Sequence, residues 1–420
     1  MTRFASPANH RVPHFVATAS VLVVSTILAV AEPQPGDVFR EYVWKPGGNY
    51  HVLNATQSPI LVPKDFDLAA ATKAEVVLEI GNAHLGFDDL AIQLNGHEWR
   101  RIPFPALGPK EPAPSVYFHQ WQPAVPFPLS EFNASTNNQF ELRICPLIPI
   151  TKGTHPPYTC IYSVTFRIYY DAKAKPHPTG KVIAPAAGSA LGETVEIAAS
   201  ATSPNGAVTR IDFLGHYEDL NYEGDGAYLR WHGGLKQGAL TNHLGSTGVP
   251  ANKVVWDTSW VPDQREPMQI AARITDATGL IYFTEAVDGL KLERPGISVE
   301  LCKPYDVPQA FTSCQYGVWI NRGPRSEKFK VSGEPARIVD ARFALSCWNA
   351  PSSSGLSVNG IPLEEKRTNG AGSHFFFSLP LRPLSALKQG ENILSTIPGP
   401  GRQSDIHWPG VMVLVKYRKG

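Results

Sequence analysis

The stretch Ile211-Asp-Phe-Leu-Gly-His216-Tyr-Glu218-Asp219-Leu-Asn221-Tyr-Glu223-Gly-Asp225-Gly-Ala-Tyr-Leu-Arg230-Trp231-His232, followed by a glycine-rich run through His243, decides how this chain is read. It crowds acids, imidazoles and rings into what reads as one oversized loop, residues 215–250. The segments around it alternate apolar and polar residues, the mark of strands with one buried face. Glu75-Val-Val-Leu-Glu-Ile80, Phe140-Glu-Leu-Arg-Ile144 and Val164-Thr-Phe-Arg-Ile-Tyr-Tyr170 are such strands, and no segment carries a capped 3.6-residue period. The fold class expected is all-β.

Composition agrees. In 420 residues, 35 are Gly and 38 Pro, and only 18% are charged, as suits many short strands joined by tight turns. A net charge of +1 without a basic run gives nucleic acid or an anionic membrane little to attract. The apolar run Phe15–Ala31, preceded by Arg3 and Arg11 and ending Ala29-Val30-Ala31, reads as a signal peptide over residues 1–31. A secreted, periplasmic or cell-surface protein with no membrane span after cleavage is expected. In that setting Cys145 and Cys160 are expected to pair, while Cys302, Cys314 and Cys347 leave one thiol over. Asn54-Ala-Thr and Asn133-Ala-Ser are glycosylation sequons if the host glycosylates exported proteins.

The two ends of the chain echo each other. Leu94-Asn95-Gly96 has its counterpart in Val358-Asn359-Gly360, and Pro128-Leu-Ser130 in Pro383-Leu-Ser385. Gln139-Phe-Glu-Leu142 matches Asn392-Ile-Leu394, and the closing strand Val164–Tyr170 matches Val411–Tyr417. Landmarks in one order argue for two copies of one unit, residues 35–174 and 296–420. On these motifs both units resemble the galactose-binding-like jelly roll of secreted carbohydrate-active proteins. Between them, Ala184-Pro-Ala-Ala-Gly188, Val208–Phe213, Val254-Val-Trp256-Asp-Thr258 and Met268–Asp276 with Gly279 resemble a bacterial immunoglobulin-like module, residues 180–295. That resemblance implies a spacer or binding unit with no catalytic residues to carry over, and it places Trp256 and Trp260 on core strands.

The inserted stretch admits three chemistries. Asp219, Asn221, Glu223 and Asp225 offer oxygens at alternate positions beside Gly224 and Gly226, a calcium-loop pattern lacking the EF-hand glycine and final glutamate. His216, His232, His243 and Glu218 match no zinc spacing. Tyr217, Tyr222, Tyr228, Leu229 and Trp231 supply apolar area that would brace the flanking units, which is the favoured reading. Sugars offer apolar C–H faces to rings flanked by hydrogen bonders. The candidate glycan-binding residues are therefore Asp88, Asp89, Trp99, Arg100, His119 and Trp121 in the first unit, and Trp348, His407 and Trp408 in the last. The function expected is non-catalytic binding of a polysaccharide or glycoconjugate. The alternative is a glycoside hydrolase or polysaccharide lyase with its site between the first jelly roll and the central loop. No nucleophile elbow, phosphate loop or His-Glu-x-x-His motif is present.

Overall fold

The structure, a computed structural model, describes residues 32–47, 51–53, 60–62, 65–83, 87–103, 122–146, 158–307, 313–315, 318–320, 325–348, 355–364, 374–397, 405–407 and 409–419. The chain divides into two units, Met1–Val30 and Ala31–Gly420, and every described residue belongs to the second. The protein is all-β. Its described helical segments are single 3-10 turns such as Leu129–Glu131 and Leu384–Ala386.

The first sandwich closes a phenylalanine-rich core between two antiparallel sheets, with the Phe66, Phe132 and Phe166 rings in mutual contact and Phe140 against Phe166. One sheet orders its strands Val38–Trp44, Tyr158–Tyr170, Ala71–Ala83, Ala124–Phe127; the other Ile60–Val62, Asn138–Pro146, Phe87–Leu94, Arg100–Arg101. The C-terminal sandwich repeats the plan. Its sheets order Ile297–Cys302, Met412–Arg418, Ile338–Trp348, His374–Pro380 and Ser326–Val331, Gly390–Ile397, Gly355–Val358, Ile361–Pro362. The chain visits corresponding positions in the same sequence in both.

The Asn-Gly landmarks show why this plan recurs. Asn95 and Asn359 both take φ 52°, followed by Gly96 and Gly360 at φ 73° and 80°, the positive values a two-residue hairpin demands. Each asparagine amide then reaches across the sandwich end. Asn95 donates to Asn138 Oδ1 (2.8 Å) and to the Glu131 carbonyl (2.7 Å); Asn359 donates to Asn392 Oδ1 (2.8 Å) and to the Ala386 carbonyl (2.9 Å). Asn138 and Asn392 are wholly buried, so each lock ties the hairpin to the 3-10 turn with no amide left unpaired.

The central sandwich sets Thr179–Ala184, Thr194–Thr202 and Lys253–Asp257 against a sheet containing Val208–Glu218, Met268–Asp276 and Leu280–Phe283. Trp256 lies in its core, as expected. The first two sandwiches are not beads on a linker. Val38–Trp44 pairs with Tyr158–Tyr170 along one edge and with Leu280–Phe283 along the other (Val38 opposite Tyr282, Phe39 opposite Ile281), so one sheet runs through both. On one face of this seam Arg167 pairs with Glu41 (2.8 Å) and Glu75 (2.5 Å), and Arg273 with Glu41 (2.7 Å). Burial works to raise the Glu41 pKa, but the two guanidinium groups outweigh it and hold it at about 2.

Two expectations need correction. Residues 215–250 are not one loop: Gly215–Glu218 extends its strand and pairs with Leu229–His232, and Gly234–Lys236 forms a hairpin with Ala239–Thr241. Cys145 and Cys160 do not pair. Cys145 lies opposite Asp89 in one sheet, whereas Cys160 lies opposite Val52 and Gly81 in the other and is a buried free thiol. Cys302 is likewise a buried free thiol, and Cys347 is buried in the same core. The side chain of Cys314, the signal-peptide segment and the Asn54 sequon lie outside what is described.

Replacing Glu41 by Leu strands the buried Arg273 and leaves Arg167 with Glu75 alone, and is expected to cost about 3–5 kcal/mol in denaturant unfolding. Because the folded pKa is depressed, wild-type Glu41 stabilises fully above its ordinary value of 4.5. That stability is lost as pH falls towards about 2, so the gap between the two proteins should close over that window.

Candidate functional site

The inserted stretch covers both neighbours. Leu220, Tyr222 and Tyr228 pack on Val299, Ala344, Met412 and Leu414, the outer face of the C-terminal sandwich, with the Tyr222 and Phe376 rings 4.8 Å apart. Trp231 and Leu214 close over Phe39, Tyr169 and Phe283 on the seam. The following hairpin docks on the first sandwich. The Gln122 side chain accepts from Leu235 N (2.8 Å) and donates to its carbonyl (2.7 Å), and Gly238 N donates to Glu79 (3.3 Å). Gly238 takes φ 70° against the Val43 side chain, so a Cβ fits neither its conformation nor its space. The bracing role expected of Tyr217, Tyr222, Tyr228, Leu229 and Trp231 matches this packing, except that Leu229 is exposed and Tyr217 lies in the central core.

The acids proposed for calcium do not converge on one point. The Asn221 amide donates to Asp225 (2.8 Å) and to the Ala227 carbonyl (2.8 Å) and accepts from Gly226 N (3.1 Å). Arg230 then takes the place of a cation, pairing with Asp225 (2.6 Å), Glu32 and Glu223 (3.6 Å). Glu223 is buried beneath Gly234, with no hydrogen bond to either oxygen. Burial raises its pKa to about 7, against the opposing pull of Arg230. Among the described residues no group of three or more His, Cys, Asp or Glu could hold a metal ion. The imidazoles are separate too. His232 Nε2 meets the Tyr217 carbonyl (2.9 Å), His216 lies against Trp231, and His243 Nε2 meets Ser246 Oγ (2.6 Å).

Asp219 faces elsewhere, into a cleft of about 290 Å³ between the central sandwich and the C-terminal one. Tyr217, Tyr222, Asn242, His243, Trp256, Asp257 and Trp260 line one side, and Arg342, Ser378 and Leu414 the other. Burial lifts the Asp219 pKa to about 7, and its bonds from Leu220 N and the Tyr217 and Tyr222 hydroxyls offset this only in part. Asp257 goes the other way: hydrogen bonds from Ser259 lower it, and Lys416 and Arg342 assist. The Trp260 ring carries the Lys416 ammonium at 4.1 Å and the Arg342 guanidinium at 5.1 Å.

The glycan candidates fare unevenly. Arg100 is committed to the buried Glu131 by two bonds of 2.6 and 2.7 Å, and Trp99 carries the Arg143 guanidinium 4.4 Å from its ring centre. Asp88 and Asp89 lie on the strand Phe87–Leu94, whose edges pair directly with Asn138–Pro146 and Arg100–Arg101. Trp348 is opposite both His374 and Asp405 in the C-terminal sheet. His407 is buried nearby, and that burial drops its pKa to about 3. The side chains of Asp88, Asp89 and Trp348, and the whole of His119, Trp121 and Trp408, lie outside the described residues. Of the candidates whose side chains are described, Trp99, Arg100 and His407 do not line the cleft. Lining residues that sequence reading did not single out include Asn242, Arg342 and Ser378. Trp260, expected on a core strand, instead lies in the turn beyond the end of Lys253–Asp257, where it is only partly buried and lines the cleft. Arg342 alternates with the buried Ala341 and Phe343, a charge on the outward face.

Because the folded pKa of Asp219 is raised, its ionisation costs nothing below pH 3.8, and the cost grows as pH rises to about 7. Asp219→Asn should therefore gain thermal stability over wild type progressively across that window. Calcium or a chelator should leave the melting temperature unchanged, whereas Arg230→Met should lose about 3–5 kcal/mol, because it strands buried carboxylates.

No family model matches the chain, and no curated protein matches it. Solved structures similar to it include a glycoside hydrolase family 86 enzyme in complex with neoagarooctaose, at 12% identity and TM-score 0.23, covering 58% of this chain and 34% of the other. A β-porphyranase of the same family from the human gut bacterium Bacteroides plebeius matches at 12% identity and TM-score 0.22, covering 60% and 38%. The chain thus spans just over a third of the length of these enzymes. A DUF4785 family protein from Legionella pneumophila matches at 10% identity and TM-score 0.24, covering 93% of this chain and 86% of that one. Scores this low assign neither fold family nor function.

Proposed function

We propose that this is an exported, non-catalytic glycan-binding protein whose sugar site is the cleft between the central and C-terminal sandwiches. The observation that carries the reading is the lining of that cleft. Aromatic rings of Tyr222 and Trp260 stand beside Asn242, His243, Asp257, Arg342 and Ser378, so apolar surface and directional hydrogen bonders meet in one concave space. That combination suits a molecule with C–H faces and hydroxyl edges. The strand orders of the outer sandwiches are those of double-sheet jelly rolls, which supports the galactose-binding-like reading of both. Export rests on the Phe15–Ala31 segment, and no helix among the described residues is long and apolar enough to cross a membrane.

One observation favours a second reading, glycoside hydrolysis. Asp219 and Asp257 line the same cleft with pKa values displaced in opposite directions, the arrangement of a proton donor and an ionised carboxylate. This would move the hydrolytic site from the first sandwich to the C-terminal one.

The test is a glycan array followed by calorimetry on the mature protein, with Trp260→Ala and Ser378→Trp variants. Binding should weaken about tenfold or more in both, equivalent to about 1.4 kcal/mol. Undiminished binding in both would overturn the placement of the site. Release of oligosaccharide by wild type but not by Asp219→Asn would select the hydrolase.

A further inference from the structure

Most partly buried cations in this protein are spoken for. Arg100, Arg167, Arg230, Arg273 and Arg294 each hold a carboxylate at 2.8 Å or closer, and Arg382 holds Asp340 at 2.7 Å. Arg342 and Lys416 differ. Among the described residues neither side chain makes an ion pair within 4.0 Å or a hydrogen bond, and both rest on the Trp260 ring. Strand register explains why they stand together. Arg342 is opposite Leu414, so Lys416 is its diagonal neighbour on the next strand, and both project from the outer face of one sheet.

We infer that the cleft takes an anionic sugar, whose carboxylate or sulfate is held by Arg342 and Lys416 at the Trp260 wall; this rests on the glycan reading above. The acids nearby do not satisfy the pair. Asp340 is committed to Arg382 and to Ala341 N, and Asp257 accepts from Ser259 N (2.8 Å) while staying beyond ion-pair distance. Asp219, at the far side, has its charge disfavoured by burial until pH nears 7. An indole face positions two cations without neutralising them, because its quadrupole attracts charge but accepts no proton. The result is a preorganised pair of donors, Arg342 in the lining of the cleft and Lys416 beside it on the Trp260 ring, and charge-assisted bonds to an oxyanion are about twice as strong as neutral ones. Burial lowers the Lys416 pKa, so an incoming anion would also relieve a desolvated ammonium.

Matched pairs of ligands separate the charge from the sugar: oligogalacturonate against its methyl ester, and a sulfated galactan oligosaccharide against its desulfated form. Calorimetry on the mature protein should show at least one anionic member binding about tenfold more tightly than its neutral twin, with affinity falling as NaCl rises. Which pair responds distinguishes carboxylate from sulfate. The double variant Arg342→Gln, Lys416→Gln should bind both twins alike, Arg342→Lys should keep part of the preference, and an unchanged melting temperature would show that both fold. Twins that wild type binds equally, a preference that survives in the double variant, or a neutral glycan from the array that outbinds every anionic one would each overturn the inference and leave the glycan reading standing. Absence of binding to every glycan tested would remove both.

Discussion

The rest of the molecule depends on the strand Val38–Trp44 having both its edges paired. Its hydrogen bonds to Tyr158–Tyr170 close the first sandwich, and those to Leu280–Phe283 open into the second. A shared strand permits no swivel, since backbone ladders fix register in a way that side-chain contacts between separate domains do not. It also creates a problem. The seam exposes Phe39, Tyr169 and Phe283 on the same face as the charged side chains of Glu41, Arg167 and Arg273, a surface neither dry nor solvated by itself.

The inserted stretch answers that problem. Trp231 covers the apolar part of the face, the Gly234–Thr241 hairpin reaches over Val43 and Glu79, and the guanidinium–carboxylate network keeps little exposure to water. Covering the seam fixes the position of the insertion, and so of its opposite flank, where Leu220, Tyr222 and Tyr228 meet the C-terminal sandwich. The cleft beside that contact is therefore set indirectly by pairing at the far end of the sheet. Asp219 shows the cost of this arrangement: a carboxyl carried into a closed interface, where its charge is disfavoured until pH nears 7.

Much of the fold was legible. Period-two alternation located the strands, and the Asn-Gly pairs marked hairpins because only residues tolerant of positive φ can turn there. The echo between Asn95 and Asn359 pointed to duplicated sandwiches, and their matching amide locks are the physical content of that echo. The seam was not legible, since nothing in Val38–Trp44 says that its second edge is satisfied by a strand some 240 residues away. The acids of the insertion misled for a related reason. Spacing along a chain suggested oxygens around one ion, but Arg230 sits among Glu32, Glu223 and Asp225, and Glu32 lies far outside the motif.

Rings near hairpin tips looked suited to sugars because tips are exposed, yet exposure alone leaves a side chain free to satisfy itself locally. Trp99 carries Arg143, and Arg100 is bound to Glu131. At the cleft the opposite holds. Arg342 and Lys416 are fixed by two paired strands and by one indole, which steadies their charges without supplying acceptors. A site that is rigid before its partner arrives loses little conformational freedom on binding. Between tips whose groups are already matched and a cleft whose cations are held but unmatched, the second has binding capacity to spare.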